Sequence, residues 1–278
     1  MNDRYSPIHT MIPKGRLMMI SDTGTPDDPL RAELFRLFSD NRDGSIEILI
    51  SSYPGSASLK EDFTTGLTAL GCTRFDFVEL AADTVSEDSV YQRISDARTV
   101  IFADEHPELC TLLKDSPLLE LLCHKYLLEE DFVLAGINRC AMWIPGIFMN
   151  GSGTDRGLGF INSCIVDAGF AGRARLKQLI RTVIAHNTCF GLGLSSGTAL
   201  IITEGSKVFC TGKGTVMLIN AGSVRKKTAG EPEEGASVFI ENLKGHILVS
   251  GCMLDLATGE VTETLPRSCG QTSVQSEG

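Results

Sequence analysis

Features that exported and membrane proteins usually carry are missing from this sequence. No apolar run reaches the roughly 18 residues that a membrane-spanning helix needs. Residues 1–20 lack the basic segment, apolar segment and small-residue cleavage site of a signal peptide. These two absences predict a cytoplasmic protein that does not bind a membrane.

The chain also lacks an excess of positive charge. It contains 25 Lys and Arg against 35 Asp and Glu among 278 residues, which gives a formal net charge of -10. Binding to a nucleic-acid backbone depends on clustered Lys and Arg, so we expect no nucleic-acid partner. With 42% hydrophobic residues, the composition is that of an ordinary globular protein with a substantial core.

Close cysteine pairs are missing as well. The chain has nine cysteines, no C-x-x-C occurs, and most of the cysteines lie in apolar surroundings. Structural zinc is held by closely spaced ligand pairs, so the sequence predicts no metal site, and we expect no cofactor. The cysteines are predicted to be buried free thiols in a reducing compartment.

Short apolar segments alternate with helical patterns through the first half of the chain. Strands are predicted at 16–21, 46–51, 75–80, 99–103 and 132–135, and helices at 30–38, 58–70, 90–97 and 107–128. This alternation predicts an α/β fold with a mainly parallel, doubly wound sheet and helices on both faces. Tails are predicted at 1–14 and 266–278, around a single α/β domain at 15–265.

The second half of the chain has a different pattern of predicted elements. A strand at 160–167 and a helix at 172–181 are followed by short predicted strands at 198–203, 206–210, 215–220, 237–241, 245–250 and 253–256. Their tight turns predict an antiparallel C-terminal β section, which either continues the main sheet or forms a small sheet beside it. The glycine-rich segment 150–159 precedes a strand, so it is predicted to be a surface loop and not a nucleotide-binding loop.

The strand at 132–135 passes through a glycine into a helix without a loop. Residues 136–140 read G-I-N-R-C, in the context of a hydrolase nucleophile elbow, whose usual sequence is G-x-S-x-G. Asn138 takes the nucleophile position. A neutral amide is not a practical nucleophile, but asparagine tolerates the positive φ that such a corner requires. The helix is predicted at 140–149, with an interruption near Pro145. The alternative to an elbow is an ordinary buried strand followed by this helix.

Ligands of open parallel sheets bind at the carboxyl ends of the strands. This rule predicts one crevice formed by residues 22–28, 51–56, 104–106 and 138–140. The acidic turn at 22–28 could bind a cation or a basic side chain. It is equally well explained as a helix N-terminus, where carboxylates are favoured by the helix dipole.

Several blocks, in this order, resemble the cyanophycinase group of serine peptidases. Residues 134–141 (L-A-G-I-N-R-C-A) are similar to the family's L-A-G-T-S-A-G-A, and residues 191–199 (G-L-G-L-S-S-G-T-A) to its G-I-G-I-D-E-D-T-A. Residues 157–159, 165–176, 212–216 and 241–243 also match, so the resemblance covers about 15–255. It implies the flavodoxin-like core that this group shares with dipeptidase E and the class I glutamine amidotransferases.

The resemblance also implies that the catalytic triad has been replaced. The family's serine falls on Asn138, its histidine on Gly169 and its glutamate on Ser196. A triad works as a unit, so no activated nucleophile is expected. The family's G-G-D-Q loop falls on residues 103–106, where two acidic residues would repel a developing oxyanion.

The first functional hypothesis is therefore a catalytically inactive member that acts as a binding or regulatory subunit. The resemblance implies a homodimer, or a heterodimer with a related, active family member, and leaves open a peptide ligand. The candidate ligand-binding residues are Asp104, Glu105, His106, Asn138, Arg139, Arg173 and Arg175. Alternatively, Arg173 and Arg175 could stabilise a helix N-terminus and form a surface salt bridge with Asp167.

Two alternatives remain open. One is a hydrolase of cyanophycin-like or aspartyl peptides that uses displaced residues, for example Cys140 as nucleophile with His106 as base. The other is a pocket that binds an arginine-rich or aspartate-rich ligand without cleaving it, with Asp104 and Glu105 facing guanidinium groups.

Overall fold

The computed structural model describes residues 11–22, 29–39, 44–51, 56–104, 106, 108–114, 116–151, 153–224, 226–227 and 240–263. The helices in this part of the chain are α1 (Pro29–Ser39), α2 (Ser56–Ala69), α3 (Asp88–Asp96), α4 (Glu108–Leu113), α5 (Pro117–Leu128), α6 (Arg139–Trp143) and α7 (Gly172–Ala185). Not one of them combines the length and the apolar character that crossing a membrane would require.

The strands of the first half are β1 (Arg16–Ile20), β2 (Ser45–Ser51), β3 (Phe75–Leu80), β4 (Ala97–Phe102), β5 (Val133–Ile137), β6 (Ile147–Asn150) and β7 (Gly153–Arg156). Those of the second half are β8 (Cys164–Ala168), β9 (Phe190–Leu194), β10 (Thr198–Thr203), β11 (Lys207–Gly212), β12 (Val216–Asn220), β13 (Lys226–Lys227), β14 (Ile240–Glu241), β15 (Lys244–Leu248), β16 (Cys252–Asp255) and β17 (Glu260–Glu263).

A nine-stranded sheet forms the centre of the molecule, with the strand order β17-β16-β11-β10-β1-β5-β4-β2-β3. Strands β1, β5, β4, β2 and β3 run parallel to one another, and β10, β11, β16 and β17 continue the sheet in antiparallel fashion. The predicted α/β class, with a parallel half and an antiparallel C-terminal section, is confirmed.

A second sheet of four strands lies beside the first, in the order β15-β12-β9-β8. Only β8 and β9 are parallel in it, and β12 and β15 follow in antiparallel fashion. The C-terminal section therefore does both things that the sequence left open, since it extends the main sheet and also forms a small one. Strand β9 is absent from the sequence prediction.

The main sheet is covered on both faces. Along β1, Leu17 and Met19 face one apolar cluster, and Met18 and Ile20 face the other. This alternation is that of a strand buried on both sides. Helices α1 and α2 pack on the second cluster, whereas α3 to α6 pack on the first, as a doubly wound arrangement requires.

Two predicted helices are wrong in extent. The helix predicted at 107–128 is split into α4 and α5, because the hydroxyl of Ser116 accepts the backbone N–H of Leu119 at 3.2 Å and caps a new helix that begins with Pro117. The helix predicted at 140–149 ends at Trp143, ahead of Pro145, which has no backbone N–H to continue it.

The glycine-rich segment is not a free loop. Strands β6 and β7 form a hairpin through it, with Ile147 opposite Arg156 and Asn150 opposite Gly153. The predicted strand at 160–167 begins only at Cys164, since Phe160 instead donates its backbone N–H to the Ile144 carbonyl at 3.1 Å.

Some predictions fall partly outside the described residues. These are the tails, most of the acidic turn at 22–28, residues 52–55 and the beginning of the strand at 237–241. Eight of the nine cysteines are described, and all eight are free thiols, six of them buried and two, Cys72 and Cys123, half-buried. This agrees with the prediction of buried free thiols for most of the set.

Candidate active site

The corner between β5 and α6 has the backbone of a nucleophile elbow. Asn138 has a φ of 54° and a ψ of -123°, a combination that L-residues rarely adopt. Its N–H donates to the Ile20 carbonyl at 2.9 Å, and its own carbonyl accepts the Ala141 N–H at 3.1 Å. The positive φ predicted for this position is confirmed, and the corner is attached both to the end of β1 and to the first turn of α6.

Gly136 makes this tight corner sterically feasible. A Cβ atom on this residue would lie 2.8 Å from Ile144 Cδ1 and 2.9 Å from the Ala141 backbone nitrogen. Because α6 starts at Arg139, directly after the corner, its backbone turns back over the end of β5. A side chain at position 136 would occupy the space that the helix takes.

Cys140 stands where the elbow motif has its second glycine, and it is completely buried. Its sulfur accepts the backbone N–H of Asp104 at 3.2 Å and donates to the Asp104 carbonyl at 3.0 Å. Burial raises the pKa of the Cys140 thiol well above its usual value. His106 is exposed. The thiol is therefore protonated and inward-facing, which argues against the proposed pair of Cys140 and His106 as nucleophile and base.

Asp104 holds the loop after β4 in place. It is 2% exposed, and one carboxylate oxygen accepts both the backbone N–H of Ser51, at 2.7 Å, and the Ser51 hydroxyl. The other oxygen accepts the backbone N–H of His106 at 2.8 Å. The carboxylate thus ties the end of β2 to the end of β4, and both of its oxygens have protein partners. Its predicted role against a guanidinium group remains a prediction, and Glu105 lies outside the described residues.

The segment that carries Ser196 is attached to the end of β1. Ser21 donates its backbone N–H to the Thr198 carbonyl at 2.9 Å, and its hydroxyl accepts the Thr198 N–H at 3.0 Å. Asp22 accepts the Gly197 N–H at 3.0 Å. The N–H of Asn138 is hydrogen-bonded to Ile20, the residue before Ser21. The corner and the exposed Ser196 therefore lie on either side of the carboxyl end of β1.

Gly169 follows β8 and is next to the same segment. The neighbouring Phe170 donates its N–H to the Leu194 carbonyl at 2.8 Å, two residues before Ser196. Gly169 has a φ of 72°, and a Cβ atom placed on it would meet no atom within 4 Å. The three positions onto which the resemblance carries the triad thus lie at the carboxyl ends of β5, β8 and β9.

An ion pair joins β8 to α7. The Arg175 guanidinium donates to Asp167, a residue that is completely buried. Burial raises the pKa of the Asp167 carboxyl, and Arg175 counteracts part of that effect. The predicted salt bridge is therefore present for Arg175, but its Asp167 partner is buried and not at the surface. Arg139 and Arg173 are exposed, so both side chains are accessible to a ligand.

Comparison with known proteins gives a consistent result. No family model matches the chain. Over 223 residues, 75% of this chain and 81% of the relative, the sequence is 24% identical to a cyanophycinase of Geminocystis herdmanii. Over 248 residues, 82% of each chain, it is 25% identical to a cyanophycinase of Trichormus variabilis. The homology to cyanophycinases is weak but consistent, and the predicted resemblance is confirmed.

The fold has a counterpart among solved structures. The crystal structure of a peptidase from an acI-B1 Actinobacterium superimposes with a TM-score of 0.65, at 16% sequence identity, over 88% of this chain and 98% of that one. The two proteins therefore share a fold.

Sequence reasoning missed the contacts between Ser51, Asp104 and Cys140. The sequence did indicate that Cys140 needs a contact partner, because a cysteine in place of the second elbow glycine has a side chain that must be accommodated next to the corner. The residue that receives it, Asp104, is 36 positions away along the chain, and nothing local identifies that partner.

Proposed function

We propose that this chain is a non-hydrolytic relative of the cyanophycinases that acts as a binding or regulatory subunit. The observation that carries the proposal is the elbow itself, where the strained corner is occupied by the amide of Asn138. Three further features of the crevice support it, one for each component that acyl transfer needs.

The first component is the nucleophile. Among the described crevice residues, Cys140 is buried and protonated, and the Ser51 hydroxyl donates to the Asp104 carboxylate in a completely buried position. The Ser195 hydroxyl donates to the Thr215 carbonyl at 3.0 Å and accepts the Thr215 N–H at 2.7 Å. These contacts describe groups that support the fold, and not groups prepared to attack a substrate.

The second component is a base with its orienting carboxylate. Gly169 has no side chain, and the hydroxyl of Ser196 cannot stabilise an imidazolium as a carboxylate does. The third component is the oxyanion hole, which in elbow hydrolases uses backbone N–H groups beside the corner. The N–H of Asp104, in the loop after β4, donates instead to Cys140.

What the crevice keeps is a surface for binding. Arg139 directly follows the corner, and Arg173 lies in the first turn of α7, and both are exposed. Guanidinium groups pair with carboxylates, so an aspartate-containing peptide is the ligand class that these side chains favour. A subunit of this kind could bind such a peptide next to an active relative in a heterodimer.

Hydrolysis assays test the proposal directly. Cyanophycin and aspartyl dipeptides are incubated with the unmodified chain and with Asn138→Ala, and release of amino acids is measured. We expect no release above the protein-free blank from either. Turnover by the unmodified chain that persists in Asn138→Ala would establish the displaced-residue hydrolase in its place.

A restoration variant provides the matched positive test. Asn138→Ser, Gly169→His and Ser196→Glu are combined with Cys140→Gly, which frees the N–H of Asp104. We expect this variant to show measurable release, because the space at Gly169 is open. Its positive φ costs a histidine roughly 1–2 kcal/mol, so folding is verified by thermal unfolding. The subunit role is tested by light scattering of the chain alone and mixed with an active cyanophycinase. A chain that remains monomeric in both samples would contradict that role.

A further inference from the structure

An edge strand of the second sheet is exposed. Strand β15 is the outermost strand in the order β15-β12-β9-β8, and it pairs with β12 in antiparallel fashion. Within the described part of the chain, no strand pairs with its other side. A free strand edge presents a row of backbone N–H and C=O groups that a further strand can bind. We call residues 244–249, with this outward side, the β15 edge.

The β15 edge carries large aliphatic side chains that face solvent. Ile247 is 67% exposed and Val249 is 44% exposed. They are two residues apart in an extended segment, so both lie on the same face of the sheet. Ile247 stands opposite Met217 of β12, and Met217 packs against the apolar cluster that the second sheet forms with α7. The two exposed side chains therefore continue an apolar face beyond its covered part.

The charge of the β15 edge is opposite in sign to that of the whole chain. Residues 244–250 contain Lys244 and His246 and no carboxylate, whereas the formal net charge of the chain is -10. Two copies of an acidic chain repel each other, and this repulsion is weakest where the surface carries positive charge. A contact between two copies is therefore favoured at this edge.

The sequence of the edge is compatible with pairing to itself. Opposite residues of an antiparallel pair point to the same face, so two identical strands related by a two-fold axis perpendicular to the sheet must place one residue opposite its own copy. With Ile247 in that position, the two Ile247 side chains meet, and Val249 lies opposite Gly245. Lys244 then lies opposite Ser250, so no like charges face each other.

A second register of this kind is less favourable. Centred on His246, it places two histidines face to face and Lys244 opposite the apolar Leu248. It also leaves each Ile247 opposite Gly245, without a large side chain to pack against. Ile247 is therefore the residue that we expect on the axis.

We propose that two copies of this chain form a dimer through their β15 edges, in antiparallel register about a two-fold axis at Ile247. The two four-stranded sheets then join into one sheet of eight strands. A contact limited to one short strand per copy is smaller than the roughly 800 Å² per partner of a standard interface, so the dimer is expected to be weak and concentration-dependent. This pairing requires neither the elbow nor the proposed non-hydrolytic function.

Light scattering over a range of protein concentrations tests the dimer. The unmodified chain should approach twice its monomer mass as the concentration rises into the micromolar range. Ile247→Lys and Ile247→Glu each place like charges face to face at the axis, and each should weaken the dimer about tenfold or more. Mixing the two variants should restore it, because lysine then faces glutamate. This recovery is specific to a position that contacts its own copy.

Tyr91→Lys is the matched control, because Tyr91 is 45% exposed and lies on α3, which packs on the main sheet. It should leave the dimer unchanged, and thermal unfolding verifies that each variant is folded. The proposal would be overturned by a chain that is monomeric at every concentration, by a dimer that Ile247→Lys leaves intact or that Tyr91→Lys also abolishes, or by variants that do not associate on mixing. A chain that binds an active cyanophycinase but not its own copies would overturn the proposal while supporting the subunit role.

Discussion

Replacing Asn138 with glycine tests whether the corner is truly strained. The φ of 54° and ψ of -123° place an L-residue in a sparsely populated region, at a cost of about 1–3 kcal/mol. Glycine adopts such angles freely but loses more chain entropy on folding, which costs about 0.5–1 kcal/mol. No side-chain capping hydrogen bond of Asn138 is lost in the exchange. We therefore expect Asn138→Gly to stabilise the protein by about 1 kcal/mol.

Thermal unfolding followed by calorimetry measures this change. For a domain of this size, about 1 kcal/mol corresponds to a rise in Tm of roughly 2–4 °C. Asn187→Gly is the matched control, because Asn187 is exposed and is not among the residues with positive φ. It should lower the stability by about 0.5–1 kcal/mol. A fall in Tm for Asn138→Gly equal to that of Asn187→Gly would refute the strained elbow.

Three other expectations concern the surroundings of the corner. Gly136→Ala should cost about 1–3 kcal/mol in urea unfolding because its Cβ meets backbone and side chain at 2.8–2.9 Å, whereas Gly153→Ala, with open space around it, should be nearly neutral. Alkylation followed by mass spectrometry should label half-buried Cys72 long before buried Cys140; equal rates would contradict the burial of the thiol. The raised pKa of Asp167 means that its stabilising contribution is fully present below the unfolded value of 3.8 and is lost as the pH rises through the folded value. The free energy of unfolding, relative to Asp167→Asn, should therefore fall as the pH rises above 3.8, and a rise would contradict the direction of the shift.

The parallel half of the fold could be predicted because its strands are continuous apolar runs between helical patterns. Strand β9 could not, since Gly191 and Gly193 give its sequence little strand character. The structure explains both glycines. A Cβ on Gly191 would lie 2.5 Å from a Val183 methyl group, and a Cβ on Gly193 would lie 2.7 Å from the Phe170 ring. Close packing against α7 and Phe170 thus requires glycine at both positions. Because glycine has a low strand propensity, the strand could not be predicted from residue propensities.

In the candidate site too, features set by the local sequence could be predicted, and contacts between distant residues could not. The positive φ of Asn138 follows from its immediate neighbours in sequence, and it was predicted. The contacts of Asp104 join residues that are 36 and 53 positions apart, and no short pattern encodes such pairs. The helix start at Ser116 was not predicted for a similar reason. Whether Ser116 caps a new helix depends on the packing of α5 against the core, which the local sequence does not show.

The strained corner at Asn138 has a structural explanation. Strand β5 is completely covered, and in α6 the residues from Cys140 to Trp143 are all buried. The direct connection between these two elements leaves no room for a relaxed loop, so Asn138 must adopt the corner conformation whatever its side chain does. In this fold the elbow is therefore imposed by packing. Catalysis requires a further set of groups around it, and an elbow alone is weak evidence for hydrolysis. We therefore expect the Asn138→Ser exchange by itself to place a hydroxyl at the corner without making it reactive, because a serine nucleophile needs a base beside it.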